Sequence, residues 1–184
     1  LKQALLTIED RHFYHHSGLH FKAILRALVQ DIKSGKFKQG ASTITQQLAK
    51  TLFLSNEKSI VRKIKEAILS LQIERRYTKD EILELYFNQI YLGSGAYGVE
   101  AACRIYFNKP VSQINLAEAA LIAGLPKAPS VYSPKNNPDL ARKRRNIVLN
   151  QMLLTGQISK GDHETAASAD IIPPALAKDK DSTG

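Results

Sequence analysis

The sequence predicts a mainly α-helical fold with little or no β-sheet, and three observations carry that prediction. No proline precedes Pro110, so the longer part of the chain lacks the strongest helix breaker. Its apolar residues recur at i, i+3, i+4 and i+7, whereas long alternating runs are missing. Helix-start signals stand where the periodic segments begin.

In chain order, Phe21, Ile24, Leu25, Leu28, Val29 and Ile32 form one helical stripe, closed by Gly35. Ile60, Ile64, Ala67, Ile68 and Leu71 form a second. Thr78 with Glu81 is a capping box that opens a helix carrying Ile82, Leu85, Tyr86 and Ile90. Asn115 with Glu118 starts another, and Asn137 before Pro138 reads as N-cap and first residue of a helix ending near Gly156. Between them lie a basic loop at 35–40 that the composition predicts to be mobile, a glycine break at Gly93, Gly95 and Gly98, and a connector from Pro126 to Pro138. The expected organisation is one domain over 1–175, with a polar tail or linker at 176–184.

Composition bounds the function. The 43% hydrophobic and 23% charged content excludes wholesale disorder. No apolar run approaches the roughly 18 residues of a membrane span, and no signal-peptide pattern opens the chain. A single cysteine, Cys103, excludes an internal disulfide framework and a multi-cysteine zinc site. The net charge of +9 favours a polyanionic partner, such as a phosphate-bearing substrate, an anionic membrane surface or nucleic acid.

Several clusters could carry chemistry. On a helix, Thr43, Gln47 and Lys50 share one face, offering a hydroxyl, an amide and an ammonium to a phosphate or sugar. A solvated face of an amphipathic helix explains the same spacing. Arg62, Lys63 and Glu66 converge at i, i+3 and i, i+4, as a surface ion-pair cluster or as a carboxylate beside cations that grip a diphosphate. Glu9 and Asp10 follow Leu5, Leu6 and Ile8 and precede Phe13 and Tyr14. Apolar neighbours raise a carboxyl pKa and suit it to general base work, although a helix margin has the same composition. His12, His15, His16 and His20 crowd one stretch, but Ser17 and Gly18 interrupt any helix that would pair them on a metal, and no second ligand cluster accompanies them. The run Arg142, Lys143, Arg144 and Arg145 reads as a solvated face or an anionic-lipid contact. It lacks the interleaved aromatics and the recognition motif of a nucleic-acid interface.

Taken together these segments resemble the peptidoglycan glycosyltransferase domain of class A bifunctional penicillin-binding proteins. Glu9-Asp10-Arg11-His12-Phe13 with His16 and Gly18 matches its first motif, and Gly40-Ala41-Ser42-Thr43-Ile44-Thr45-Gln46-Gln47-Leu48-Ala49-Lys50 resembles the second. Arg62-Lys63-Ile64-Lys65-Glu66 resembles the third. Ile82-Leu83-Glu84-Leu85-Tyr86 with Asn88, Tyr91, Gly93 and Gly98 resembles the fourth, and Glu118-Ala119-Ala120-Leu121-Ile122-Ala123-Gly124-Leu125 the fifth.

The resemblance implies a lysozyme-like, two-lobed helical domain with a cleft. It also implies an inverting glycosyltransferase that polymerises lipid II into β-1,4-linked glycan strands at the outer face of the bacterial cytoplasmic membrane, releasing undecaprenyl diphosphate. In that scheme Glu9 is the general base on the acceptor 4-hydroxyl, and Glu66 assists departure of the diphosphate. Asp10, His16, Ser42, Thr43, Gln47, Lys50, Arg62, Lys63 and Tyr91 fall on substrate-binding motif positions. No cofactor is obligatory, with a divalent cation such as Mg2+ conceivable beside Glu66. The implied partners are lipid II, the growing glycan strand and the membrane surface, not nucleic acid. Phe21, Leu25, Leu28 and Phe37, with Lys22, Lys33, Lys36 and Lys38, have the composition for leaning into a bilayer. The family's N-terminal membrane anchor and C-terminal transpeptidase domain have no counterpart in the sequence, which reads as an excised domain. A lysozyme-like hydrolase is the rival with the same fold, but it has no need of a cationic diphosphate site. A basic binding module would explain the charge and leave Glu9 and Glu66 idle.

Overall fold

The computed structural model describes residues 1–20, 42–54 and 59–171. The expectations for the helix at 21–32, the mobile loop at 35–40, their bilayer contact and the tail at 176–184 lie outside the described residues. Among those described, the structure is helical, and the one strand-like pairing is an isolated bridge between Tyr91 and Tyr97. The helices are α1 (Lys2–Glu9), α2 (Ile44–Phe53), α3 (Ile60–Arg76), α4 (Lys79–Gln89), α5 (Val99–Phe107), α6 (Leu116–Gly124), α7 (Pro129–Tyr132), α8 (Pro138–Leu154) and α9 (Lys160–Ser168). None of them is long and apolar enough to cross a membrane.

The chain divides into two compact units, Leu1–Ile8 with Ile90–Gly184, and Glu9–Gln89. The first is built on α6, which the Asn115 and Glu118 capping box starts as the sequence predicts. From Ala117 to Gly124 every residue of α6 is buried, as expected of a helix apolar on all sides. It packs on α8, α5 and α9, with Val148, Leu149 and Met152 of α8 and Ala102, Cys103 and Tyr106 of α5 buried in the same unit. Gly93, Gly95 and Gly98 all take positive φ, so the predicted glycine break is a real reversal before α5. At Gly93 a side chain would also collide with the Pro129 carbonyl, 2.7 Å from the Cβ it would add.

The basic run of α8 departs from its expected role. Arg142 and Lys143 are exposed, but Arg144 and Arg145 are buried and satisfy backbone carbonyls. Arg145 donates from Nη1 to Ala169 O at 2.6 Å and from Nη2 to Ala167 O at 2.5 Å. Arg144 donates from Nε to Gly124 O at 3.0 Å, which ties the end of α6 to α8. Half of the run is therefore internal scaffold, because these helix ends present carbonyls that need donors away from water.

The second unit packs α2 against α3 and α4. Ile44, Leu48 and Ala49 of α2, Ile73 of α3, and Ile82, Leu83 and Tyr86 of α4 form its core with Phe13. Thr78 and Glu81 cap α4 reciprocally, as predicted. The helix at α3 is also as predicted. Ile60 is 82% exposed, and Ile64 and Ile68 are more than half exposed, while Glu66, Ser70 and Ile73 are buried. The inward face therefore mixes Glu66 and Ser70 with Ile73.

Cys103 is fully buried in the first unit. Burial pushes its thiol up to about 11, and the carboxylates of Glu100 and Glu118 add to the shift. The folded protein should therefore resist a thiol-specific reagent at pH 8 and react stoichiometrically once unfolded in denaturant. Rapid labelling of the native protein would contradict this packing.

Candidate active site

The site begins where α1 ends. Glu9 is the last residue of that helix, and the chain then turns through Asp10, Arg11 and His12 into a short 3-10 turn, Phe13–His15. Asp10 is buried, and its Oδ2 accepts from the Ile44 N–H at 3.0 Å. This places a carboxylate at the N-terminus of α2, where the unpaired amides and the helix dipole favour negative charge. His16 Nε2 lies 3.0 and 2.9 Å from the two Asp10 oxygens. His16 Nδ1 accepts from the Gly18 N–H at 3.2 Å, so Nε2 carries a proton toward Asp10.

Gly18 and Thr43 complete this frame. Gly18 has φ +88°, and an added Cβ would stand 3.0 Å from Ser70 O. Its carbonyl accepts from Thr43 Oγ1 at 2.6 Å. Thr43 is also the N-cap of α2, accepting from the Gln46 N–H, while the Gln46 side chain returns to the Thr43 N–H at 3.0 Å. Asp10, His16 and Thr43 thus hold the turn after Glu9 against the first turn of α2.

That frame delivers Gln47 to Glu9. Gln47 Nε2 donates to Glu9 Oε2 at 2.9 Å, and Gln47 Oε1 accepts from the Tyr86 hydroxyl of α4 at 3.0 Å. Lys50 follows one turn along α2 and is exposed.

A second cluster gathers on α3. The Glu66 side chain is only 3% exposed. Its Oε2 accepts from Arg62 Nη1 at 3.1 Å, and its Oε1 is paired with Lys63 Nζ. Lys63 Nζ also donates to Ser42 Oγ at 2.8 Å, which links the cluster to the residue just before Thr43. Arg62 Nε is a buried donor with no acceptor among the described residues. Two cations on one carboxylate, with a donor to spare, suit an incoming anion. Both oxygens of Glu66 are engaged by Arg62 and Lys63, and among the described residues no group of three His, Cys, Asp or Glu side chains gathers.

The sequence profile of the family described as Transglycosylase matches residues 1–153. The chain belongs to that family. The transglycosylase chain is 53% identical over 165 residues to penicillin-binding protein 1A of Aquifex aeolicus, covering 90% of this chain and 23% of that protein. It is 52% identical over 168 residues to penicillin-binding protein 1A of Pseudomonas aeruginosa, covering 91% and 20% respectively. The chain therefore spans about a fifth of the length of these relatives. A crystal structure of penicillin-binding protein 1A from Haemophilus influenzae is similar over 70% of this chain and 16% of that one, at 37% identity and a TM-score of 0.49.

Of the residues singled out in the transglycosylase sequence, Glu9, Asp10, His16, Ser42, Thr43, Gln47, Lys50, Arg62, Lys63 and Glu66 all fall in the second unit. Tyr91 belongs to the first, where its ring lies 5.0 Å from that of Tyr97. The four clustered histidines do not share a helix. His16 is tied to Asp10, and its ring stacks on His20 at 5.9 Å. The sequence places Tyr86 on an apolar stripe and in the fourth motif, and gives no sign of its bond to Gln47. The spacing carries no signal for it, because the contact joins α2 to α4.

Thr43→Val keeps the shape of the side chain and removes both hydrogen bonds of its hydroxyl. Urea unfolding should report a loss of about 1–2 kcal/mol, as for other lost N-caps. Unchanged stability would mean that the frame around α2 does not depend on this cap.

Proposed function

We propose that this chain is a peptidoglycan glycosyltransferase that extends glycan strands from lipid II, with Glu9 as general base and the α3 cations receiving the leaving diphosphate. The observation that carries the reading is the buried Glu66 with Arg62 and Lys63 upon it. A hydrolase acting on finished glycan has no use for such an anion site.

Glu9 takes the proton from the 4-hydroxyl of the acceptor N-acetylglucosamine as that oxygen attacks the anomeric carbon of the donor. The bond from that carbon to the diphosphate oxygen breaks, and its electron pair leaves with the diphosphate. Attack opposite the α-linked leaving group inverts the centre to a β-1,4 bond. Charge grows on the diphosphate during this step, and Arg62, Lys63 and Lys50 stabilise it by standing in place beforehand. Glu66 keeps Arg62 and Lys63 from collapsing onto other acceptors. Asp10, His16 and Thr43 serve by position, since their polar atoms are engaged in holding α2 to the turn after Glu9. Tyr91 is kept as a substrate contact on the strength of the motif alone.

We place the reaction at the outer face of the cytoplasmic membrane, where the donor's lipid resides. Exposed Phe53, Ile60, Val61, Ile64 and Ile68 supply apolar surface that supports a membrane partner. The burial of Arg144 and Arg145 argues against nucleic acid, since half of the basic run never reaches the surface.

The test is polymerisation of labelled lipid II in detergent. Wild type should form glycan chains, and Glu9→Gln should lose at least about a hundredfold in rate while still folded and binding substrate. Full activity in Glu9→Gln would place the base elsewhere. Glu66→Gln should also be impaired, to the same degree at every Mg2+ concentration, since its carboxylate holds cations of the protein. Recovery of this variant on raising Mg2+ would make Glu66 a metal ligand instead.

A further inference from the structure

We propose that Tyr86 is a positioning residue for the base: its hydroxyl fixes the Gln47 amide, and the amide in turn fixes the Glu9 carboxylate. This rests on the reading of Glu9 as the general base. The chain of bonds runs from α4 through α2 to the end of α1, with Tyr86 Oη 3.0 Å from Gln47 Oε1 and Gln47 Nε2 2.9 Å from Glu9 Oε2.

Each link has a direction. A glutamine amide has a donor end and an acceptor end, and here they face opposite partners. A phenol donating to the carbonyl oxygen selects the orientation that leaves the N–H toward Glu9. The reversed amide would set its carbonyl oxygen against a carboxylate and lose the bond from the phenol. Tyr86 is well suited to enforce this, being 2% exposed in the core beside Ile82 and Leu83. Burial, with the nearby charges of Glu9 and Asp10, raises its proton affinity well above the ordinary phenol, so it remains a donor. A donor on Glu9 Oε2 fixes the plane of the carboxylate, and a general base depends on that alignment with the proton it removes.

The arrangement gives Gln47 a role distinct from binding the donor. A substrate contact would act on KM. A positioning contact on the base acts on the transition state and lowers kcat with KM unchanged.

The experiment is a double-mutant cycle in lipid II polymerisation, with Tyr86→Phe and Gln47→Ala alone and together. Tyr86→Phe should lower kcat about tenfold with KM for lipid II unchanged, the effect of one hydrogen bond removed from a transition-state arrangement. In the Gln47→Ala background the same substitution should change kcat by less than about twofold, because its target is gone. Wild-type kinetics in Tyr86→Phe, or an equal loss in both backgrounds, would overturn the proposal. If Tyr86→Phe does not fold, as judged by circular dichroism and thermal melting, Gln47→Ala alone decides. A fall in kcat supports the relay, and a rise in KM with kcat retained overturns it. Glu9→Gln run alongside separates the two readings. An active Glu9→Gln removes the base assignment and the relay with it, whereas an inactive Glu9→Gln with a failed cycle removes the relay alone.

Discussion

The second unit depends on one buried carboxylate. Asp10 joins the turn after Glu9 to the first amide of α2, and His16 braces it from the other side. The bond is favourable because a helix N-terminus offers unpaired N–H groups and a positive dipole end to an anion. Gly18 lets the chain pass close to Ser70, and Thr43 closes the frame through the Gly18 carbonyl. With α2 fixed in this way, Gln47 meets Glu9 and Ser42 meets Lys63. Both halves of the candidate site are thus tied to the first turns of α2 and the residue before its cap.

The two glutamates occupy contrasting environments. Glu9 is half-buried and accepts from the Gln47 amide, a bond that orients the carboxylate. Glu66 is buried and matched by two cations, so its charge is already answered within the protein. A base needs the first environment and an anion-receiving site the second. An unpaired carboxylate at position 66 would be costly to bury, which explains why Arg62 and Lys63 come with it. Such a division of labour fits transfer from a diphosphate, where leaving-group charge is met by cations and no protonating acid is required.

Much of this was legible from the residues alone. The capping boxes at Thr78 and Asn115 and the proline at 138 set helix starts by local chemistry, and all three starts stand where the sequence puts them. The motif resemblance located ten of its eleven site residues within one unit. Facing was harder. The Ile60, Ile64 and Ile68 stripe marks a helix, but periodicity reports only that a helix has two sides. Tertiary context decided that the polar side of α3 turns inward. Arg144 and Arg145 were misread for a related reason, because a run of charges does not disclose which members will find backbone carbonyls. The Tyr86 link was invisible for want of any local pattern, since it joins residues 39 positions apart.

The proposed activity is the making of glycosidic bonds at the expense of a diphosphate linkage. The most direct measurement is to supply lipid II, extract the released undecaprenyl diphosphate, and count it against new glycosidic bonds with their anomeric configuration. One diphosphate should be released for each bond formed, every new bond should be β, and no reducing ends should be released from finished glycan. Reducing ends freed from diphosphate-free glycan, with no polymer from lipid II, would contradict it and make the protein a hydrolase.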